Sequence, residues 1–228
     1  MITHFSETLE NLRSKLLLMG QLSIDSLRLS MEALVERDHE IASRVKSKDK
    51  EIDLLENELV AEINLCLSTH SPVAADLRLL VSSIRISHEI ERVGDEAKAI
   101  ARRSKKIAVS DFHLVPRMAR LTQDMLTEAL NIFLEYEEEK PKSIWKKDLE
   151  VDAMHLENTQ FCQALVLKDL NLVSSVFELL FISKSLERIG DHAVNISKEI
   201  VFMATSKEVR HDPKYKKSCL NKELLDDA

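Results

Sequence analysis

Paired carboxylates at four-residue spacing are the groups in this chain best placed to do chemistry. Glu91 and Asp95 stand four apart in Glu91-Arg92-Val93-Gly94-Asp95-Glu96-Ala97-Lys98-Ala99-Ile100. Glu187 and Asp191 do the same in Glu187-Arg188-Ile189-Gly190-Asp191-His192-Ala193-Val194-Asn195-Ile196. The second stretch repeats the first 96 positions later (91 to 187, 100 to 196), keeping Glu, Arg, Gly, Asp, Ala and Ile and replacing Val by Ile. On a helix a four-residue step puts both carboxylates on one face, where like charges repel by roughly 0.2–0.5 kcal/mol. Each pair therefore calls for a cation between or opposite its members.

A second set of acids recurs upstream. Asp49, Asp53 and Glu56 share a heptad-like stripe with Val60, Ile63 and Leu67, and 99 positions on (49 to 148) the stripe reads Asp148, Asp152, His155, Thr159 and Cys162. If neighbouring helices pack antiparallel, the late part of one meets the early part of the other, and the pairs converge. Four carboxylates in one place must be protonated, matched by arginine or bound to metal. Oxygen ligands suit hard ions, so iron(III), Mn, Mg and Ca are expected ahead of copper, with Zn possible. An exposed lattice of ion pairs using Arg92 and Arg188 is the alternative; duplication of every pair favours metal. His155 and His192 are weaker candidate ligands. No Gly-rich phosphate loop, nucleophile elbow or Ser/His/Asp arrangement is visible, so no catalytic residue is assigned.

The elements that position these acids are helical throughout. With 44% hydrophobic, 31% charged and 4% aromatic residues and only 3 Gly in 228 residues, the chain reads as a helix-rich protein. Apolar spacing predicts a first helix over 5–37, a second from an Asp38 N-cap to just before Ser71-Pro72, and a third opened by Pro72 that fades at 102–111. The pattern restarts after Pro116, where Met118 and Leu121 answer Met19 and Leu22. A turn is expected at Glu137-Glu138-Glu139-Lys140-Pro141, a fifth helix to about Lys168, and a sixth through Ile182, Leu186, Ile189, Ala193, Ile196 and Ile200 before a polar tail. Helices of about 30 residues joined by hairpins pack as bundles. The predicted architecture is all-α, two tandem three-helix bundles over 1–110 and 111–228. Gly94 and Gly190 interrupt helices at roughly 1 kcal/mol each, which implies close approach by another helix or a ligand.

Composition narrows the function classes. A net charge of −7 gives no basic footprint for nucleic acid. Cys66, Cys162 and Cys219 are scattered, fitting a reducing cytoplasm, and the two on apolar stripes read as core. The longest early apolar run, Leu16-Leu17-Leu18-Met19, is far short of a membrane span, so any membrane role is peripheral. Trp145 reads as packing.

The repeated Glu-Arg-(Val/Ile)-Gly-Asp-x-Ala, the preceding Asp-x-x-x-Asp, the element Pro72-Val73-Ala74-Ala75-Asp76-Leu77-Arg78 and the closing Val209-Arg210-His211 resemble the PhoU family over nearly the whole chain. The resemblance implies two three-helix bundles, frequent dimerisation, and metal clusters, with iron as a multinuclear cluster first and Mn, Mg, Ca or Zn behind it. It maps the ligands onto Asp49, Asp53, Glu91 and Asp95, then Asp148, Asp152, Glu187 and Asp191. It further implies a cytoplasmic, non-enzymatic regulator that restrains phosphate uptake and starvation signalling by contact with the phosphate ABC transporter ATPase and a sensor histidine kinase. Two departures are visible: Ala99 stands where the family commonly has Asn, as at Asn195, and the second half lacks the Pro-x-x-x-Asp-Leu-Arg element. A carboxylate-bridged di-metal enzyme and a metal-free helical adaptor are the competing classes. Only Asp152 to His155 approaches the Glu-x-x-His pairing the enzyme class wants.

Overall fold

Apolar residues at helical spacing build six helices in the computed structural model, which describes residues 4–135 and 141–209. They are α1 (His4–Glu36), α2 (His39–His70), α3 (Ala74–Ser104), α4 (Val115–Glu135), α5 (Pro141–Lys168) and α6 (Val173–Thr205). The expected turn at 137–140, Cys219, Arg210-His211 and the polar tail lie outside the described residues.

Local chemistry sets most junctions. Asp38 caps α2, its carboxylate accepting from the backbone N–H groups of Glu40 and Ile41. Ser71, barred from the right-handed helical region by the proline that follows, takes a left-handed conformation and ends α2. Here the structure departs from the sequence reading: α3 starts at Ala74, with Val73 extended as its N-cap, and not at Pro72. Helix α4 is also shorter than expected, at 21 residues. It starts one residue before Pro116, which puts the proline in a first turn that needs no N–H from it. A 3-10 turn, Leu170–Leu172, was not anticipated; the Asp169 carboxylate caps it through the N–H of Asn171.

Helices α1–α3 form one three-helix bundle and α4–α6 the other, and the two meet chiefly through α3 against α6, with α1 against α4 beside them. Arg78 Nε donates to the Met203 carbonyl, Glu89 meets His192, Glu96 meets Arg188 and Arg103 meets Glu178. Numbering rises along α3 as it falls along α6, so the two run antiparallel. Between the middle two bridges lie Val93 and Ile189, equivalent positions of the repeat and both fully buried. One continuous core, from Leu12 through Ile52, Ile86, Met118 and Val151 to Met203, runs through both bundles. The connection between halves is fastened along its length. Ile107 and Val109 are buried, the N–H groups of Ala108 and Val109 donate to Ser175 Oγ, and Arg37 donates to their carbonyls.

Gly20 of α1 packs against Leu130 of α4. A methyl there would lie 2.5–2.6 Å from both terminal carbons of the buried Leu130. Overpacking of this kind costs about 1–3 kcal/mol, more than the roughly 1 kcal/mol of helix propensity that Ala recovers. Gly20→Ala is therefore expected to lower the urea midpoint without changing the slope of the transition. An unchanged or higher midpoint would show that Leu130 yields freely.

Candidate metal centres

The two remaining glycines lie where the acid-bearing helices of each half face one another. On α3, a methyl at Gly94 would stand 3.1 Å from Ile52 Cδ1 of α2, tighter than ordinary contact. On α6, a methyl at Gly190 would sit at ordinary distance, 3.4 Å from Asp148 Oδ1 and 3.8 Å from Val151 of α5. Ile52 and Val151 occupy equivalent positions in the repeat. Sterics thus explain Gly94 better than Gly190, where a side chain would cover a carboxylate with hydrocarbon.

The first candidate set is Asp49 and Asp53 of α2 with Glu91 and Asp95 of α3, near enough to feel one another's charge, though no three of these four come within 4.8 Å of one another through their ligand atoms. Asp49 is 4% exposed, and Lys98 Nζ donates to both Asp49 Oδ2 and Asp95 Oδ1 at 2.7 Å each. Burial works against the ammonium, yet the Asp49 and Asp95 hydrogen bonds prevail and hold its pKa well above the usual lysine value. The acids beside it remain crowded. Burial first, then the charges of Asp49 and Asp95, push the Asp53 carboxyl up against the pull of Lys98. Burial followed by Asp95, Glu56 and Asp53 does the same to Glu91. Two further residues join this side. Oxygens of Glu56 and Glu91 and a ring nitrogen of His88 lie within 4.8 Å of one another, a spacing that could hold a metal ion. Arg92 Nε donates to His88 Nε2 at 3.3 Å, which leaves Nδ1 to carry the proton toward Glu56, 3.4 Å away.

The second candidate set is Asp148 and Asp152 of α5 with Glu187 and Asp191 of α6, no three of which come within 4.8 Å of one another through their ligand atoms. Asp148 is 3% exposed and faces Gly190. Partial burial, then Glu187 and Asp152, push the Asp191 carboxyl up, opposed by Lys184 and His192. Lys184 Nζ lies 2.5 Å from Glu187. His155, the counterpart of Glu56, bonds through Nδ1 to Ser183 Oγ at 2.8 Å, and burial pushes its pKa down. His192 is committed elsewhere: its ring meets Glu89 of α3 at 2.6 Å.

Neither arginine pairs with the four acids of its own half, although Arg188 does join an ion pair. Arg92 turns to His88, and Arg188 crosses to Glu96 of the other half at 3.1 Å. Lysines three residues from an acid take their place, Lys98 after Asp95 and Lys184 before Glu187. That spacing was readable. So was His88, three residues before Glu91 and hence on its face. Trp145 is core, 2% exposed, with its indole N–H on Ser197 Oγ, and Cys66 and Cys162 are buried.

A family model, the PhoU domain, matches this chain twice, over residues 16–104 and 115–200. This chain belongs to the PhoU family. A phosphate-specific transport system accessory protein PhoU homolog of Zymomonas mobilis is 32% identical over 209 residues, covering 90% of this chain and 88% of its own length. The homolog of Rhizobium meliloti is 34% identical, covering 88% and 87%. Among solved structures, PhoU from Pseudomonas aeruginosa superposes with a TM-score of 0.85 at 29% identity, covering 90% of this chain and all of that one. The phosphate transport system regulatory protein PhoU from Streptococcus pneumoniae gives 0.84 at 25% identity, covering 90% and 99%. Each PhoU match contains one complete four-acid set.

A carboxyl whose folded pKa is raised binds more protons in the folded state over the interval up to that value, so stability falls as pH rises through it. In metal-free protein, Asp53→Asn and Glu91→Gln are each expected to raise stability at neutral pH. The gain should shrink towards about pH 4, where the wild-type carboxyls take up protons. Chemical denaturation at both pH values checks this; a loss of stability at neutral pH would contradict it.

Proposed function

We propose that this chain is a non-enzymatic, metal-binding regulator of phosphate homeostasis, accessory to high-affinity phosphate uptake. What supports the metal part is the approach of carboxylates from two helices in each half, one of them buried in each (Asp49, Asp148), with the carboxyls of Asp53, Glu91 and Asp191 pushed up by burial first and by neighbouring acids second. Asp49, Asp53, Glu91 and Asp95 would hold one cluster, with Glu56 and His88 at its edge. Asp148, Asp152, Glu187 and Asp191 would hold the other, with His155 beside it. The ligand set is mostly oxygen, which suits hard cations; the family resemblance puts iron first, with Mn, Mg, Ca or Zn as alternatives. A bound hard cation would neutralise the acids and tie α2 to α3 and α5 to α6.

The regulatory part rests on the relatives, which are named accessory and regulatory proteins of phosphate transport. On this reading the chain acts by contact, as a cytoplasmic homodimer that docks on the transporter ATPase and a sensor histidine kinase and restrains both. Among the described residues no helix is long and apolar enough to cross a membrane. Membrane association would therefore run through those partners. Exposed Leu65, Leu156, Leu167, Leu170 and Phe177 offer apolar surface for such contacts. One observation favours a second reading, a metal-free adaptor: Lys98 already bridges Asp49 and Asp95.

Elemental analysis of protein purified without chelator separates the two readings. Wild-type protein is expected to carry stoichiometric hard metal, and a folded variant with Glu91, Asp95, Glu187 and Asp191 all changed to Ala should carry none. The same variant should lose co-purification with the transporter ATPase. Equal trace metal in both proteins, with no uptake on adding iron or Mn, would leave the adaptor reading standing.

A further inference from the structure

A cleft of about 800 Å³ opens between the first turns of α2, the last third of α3 and the first half of α6. Its wall carries seven basic side chains and two acids, on a chain whose net charge is −7. Four of the seven are matched within the fold: Lys98 by Asp49 and Asp95, Arg103 by Glu178, Lys184 by Glu187, and Arg188 by Glu96. The other three, Lys46, Arg102 and Lys105, have no acid partner among the described residues and stand exposed. Compensation of the α3 C-terminal dipole accounts for basic residues at 102–105. It does not account for Lys46, which comes from α2, nor for the cations that α6 adds to the same wall.

We propose that this cleft binds a small anion carrying two or more phosphoryl groups, inorganic or nucleotide-borne. Three unmatched positive charges from two helices around one cavity need more than a single negative charge to balance them. The volume falls in the range of small-molecule sites, about 300–1,000 Å³. The Arg102 guanidinium offers the planar fork that phosphate oxygens match bidentately, and Lys46 and Lys105 offer point charges on flexible stems. Phe181, half exposed with the Arg103 guanidinium 4.3 Å over its ring, gives one stretch of wall an aromatic face. Asp95 and Lys98 of the first acid set share the wall of the cleft, but the three free cations make no ion pair with any acid of that set among the described residues.

The test is calorimetric titration of the full chain in metal-free buffer, so that phosphate bridging to a bound metal cannot mimic the site. The probes are tripolyphosphate, ATP and a short poly-glutamate. The variant is Arg102→Glu with Lys105→Glu, two exposed side chains whose change leaves the core intact, with folding checked by circular dichroism. Saturable binding of tripolyphosphate or ATP that weakens at least about tenfold in the folded variant supports the proposal. Tighter ATP assigns a nucleotide source, and equal or tighter tripolyphosphate an inorganic one. Two results would overturn it: no saturable binding of either phosphate probe, or binding that the variant leaves unchanged. Poly-glutamate bound more tightly than both, and lost in the variant, would also overturn it in favour of an acidic protein segment.

Discussion

Burial of one carboxylate in each half, with further acids crowded near it on the adjacent helix, is the constraint that both halves of this molecule share. Buried acids cannot simply turn to water, and Asp49 and Asp148 are almost fully enclosed. Some cation must be near, and each half supplies a lysine from the acids' own helix, at opposite ends of the repeat: Lys98 beyond Asp95 and Lys184 ahead of Glu187. The equivalent positions hold Val194 and His88. The two acid sets therefore share a plan and differ in where the internal positive charge enters.

The repeated motif serves three directions at once, which explains its density. Glu187 and Asp191 face the acids of α5. Ile189 and Ala193 enter the core. Arg188 and His192 cross to Glu96 and Glu89 of α3. The same turns that assemble an acid centre thus also join the two bundles, and a change of charge at one centre lies within one residue of the bridge to the other half. Burial opposes the Glu89 carboxylate, but the His192 bond and charge, with Asn195, hold its pKa below the usual range, so this bridge keeps its ionised acid.

Much of this was legible in the sequence, because it depends on local rules. Asp38 announces its helix by side-chain capping, and the recurrence of acids at four-residue spacing announces two helix faces. The Gly94 contact with Ile52 follows from a helix former displaced by a residue with no side chain. What escaped depends on partners distant in sequence. Nothing local says that α3 lies antiparallel to α6, so the destinations of Arg188 and His192 could not be read. Lys98 was visible three residues from Asp95, but that it reaches Asp49 as well requires the helix crossing. The 3-10 turn at 170–172 replaces a proline-marked junction with an Asp cap, a weaker signal.

On the proposed metal-binding reading, and against the adaptor reading, Lys98 stands in for the cation that the first acid set would take. Titration of metal-free protein with Mn(II), wild type against Lys98→Met, tests it most directly. With no ammonium to displace from Asp49 and Asp95, the variant should bind Mn(II) at the first centre more tightly, by about tenfold or more. Unchanged or weaker binding in a folded Lys98→Met protein would contradict the claim and mark the lysine as a fixed structural bridge.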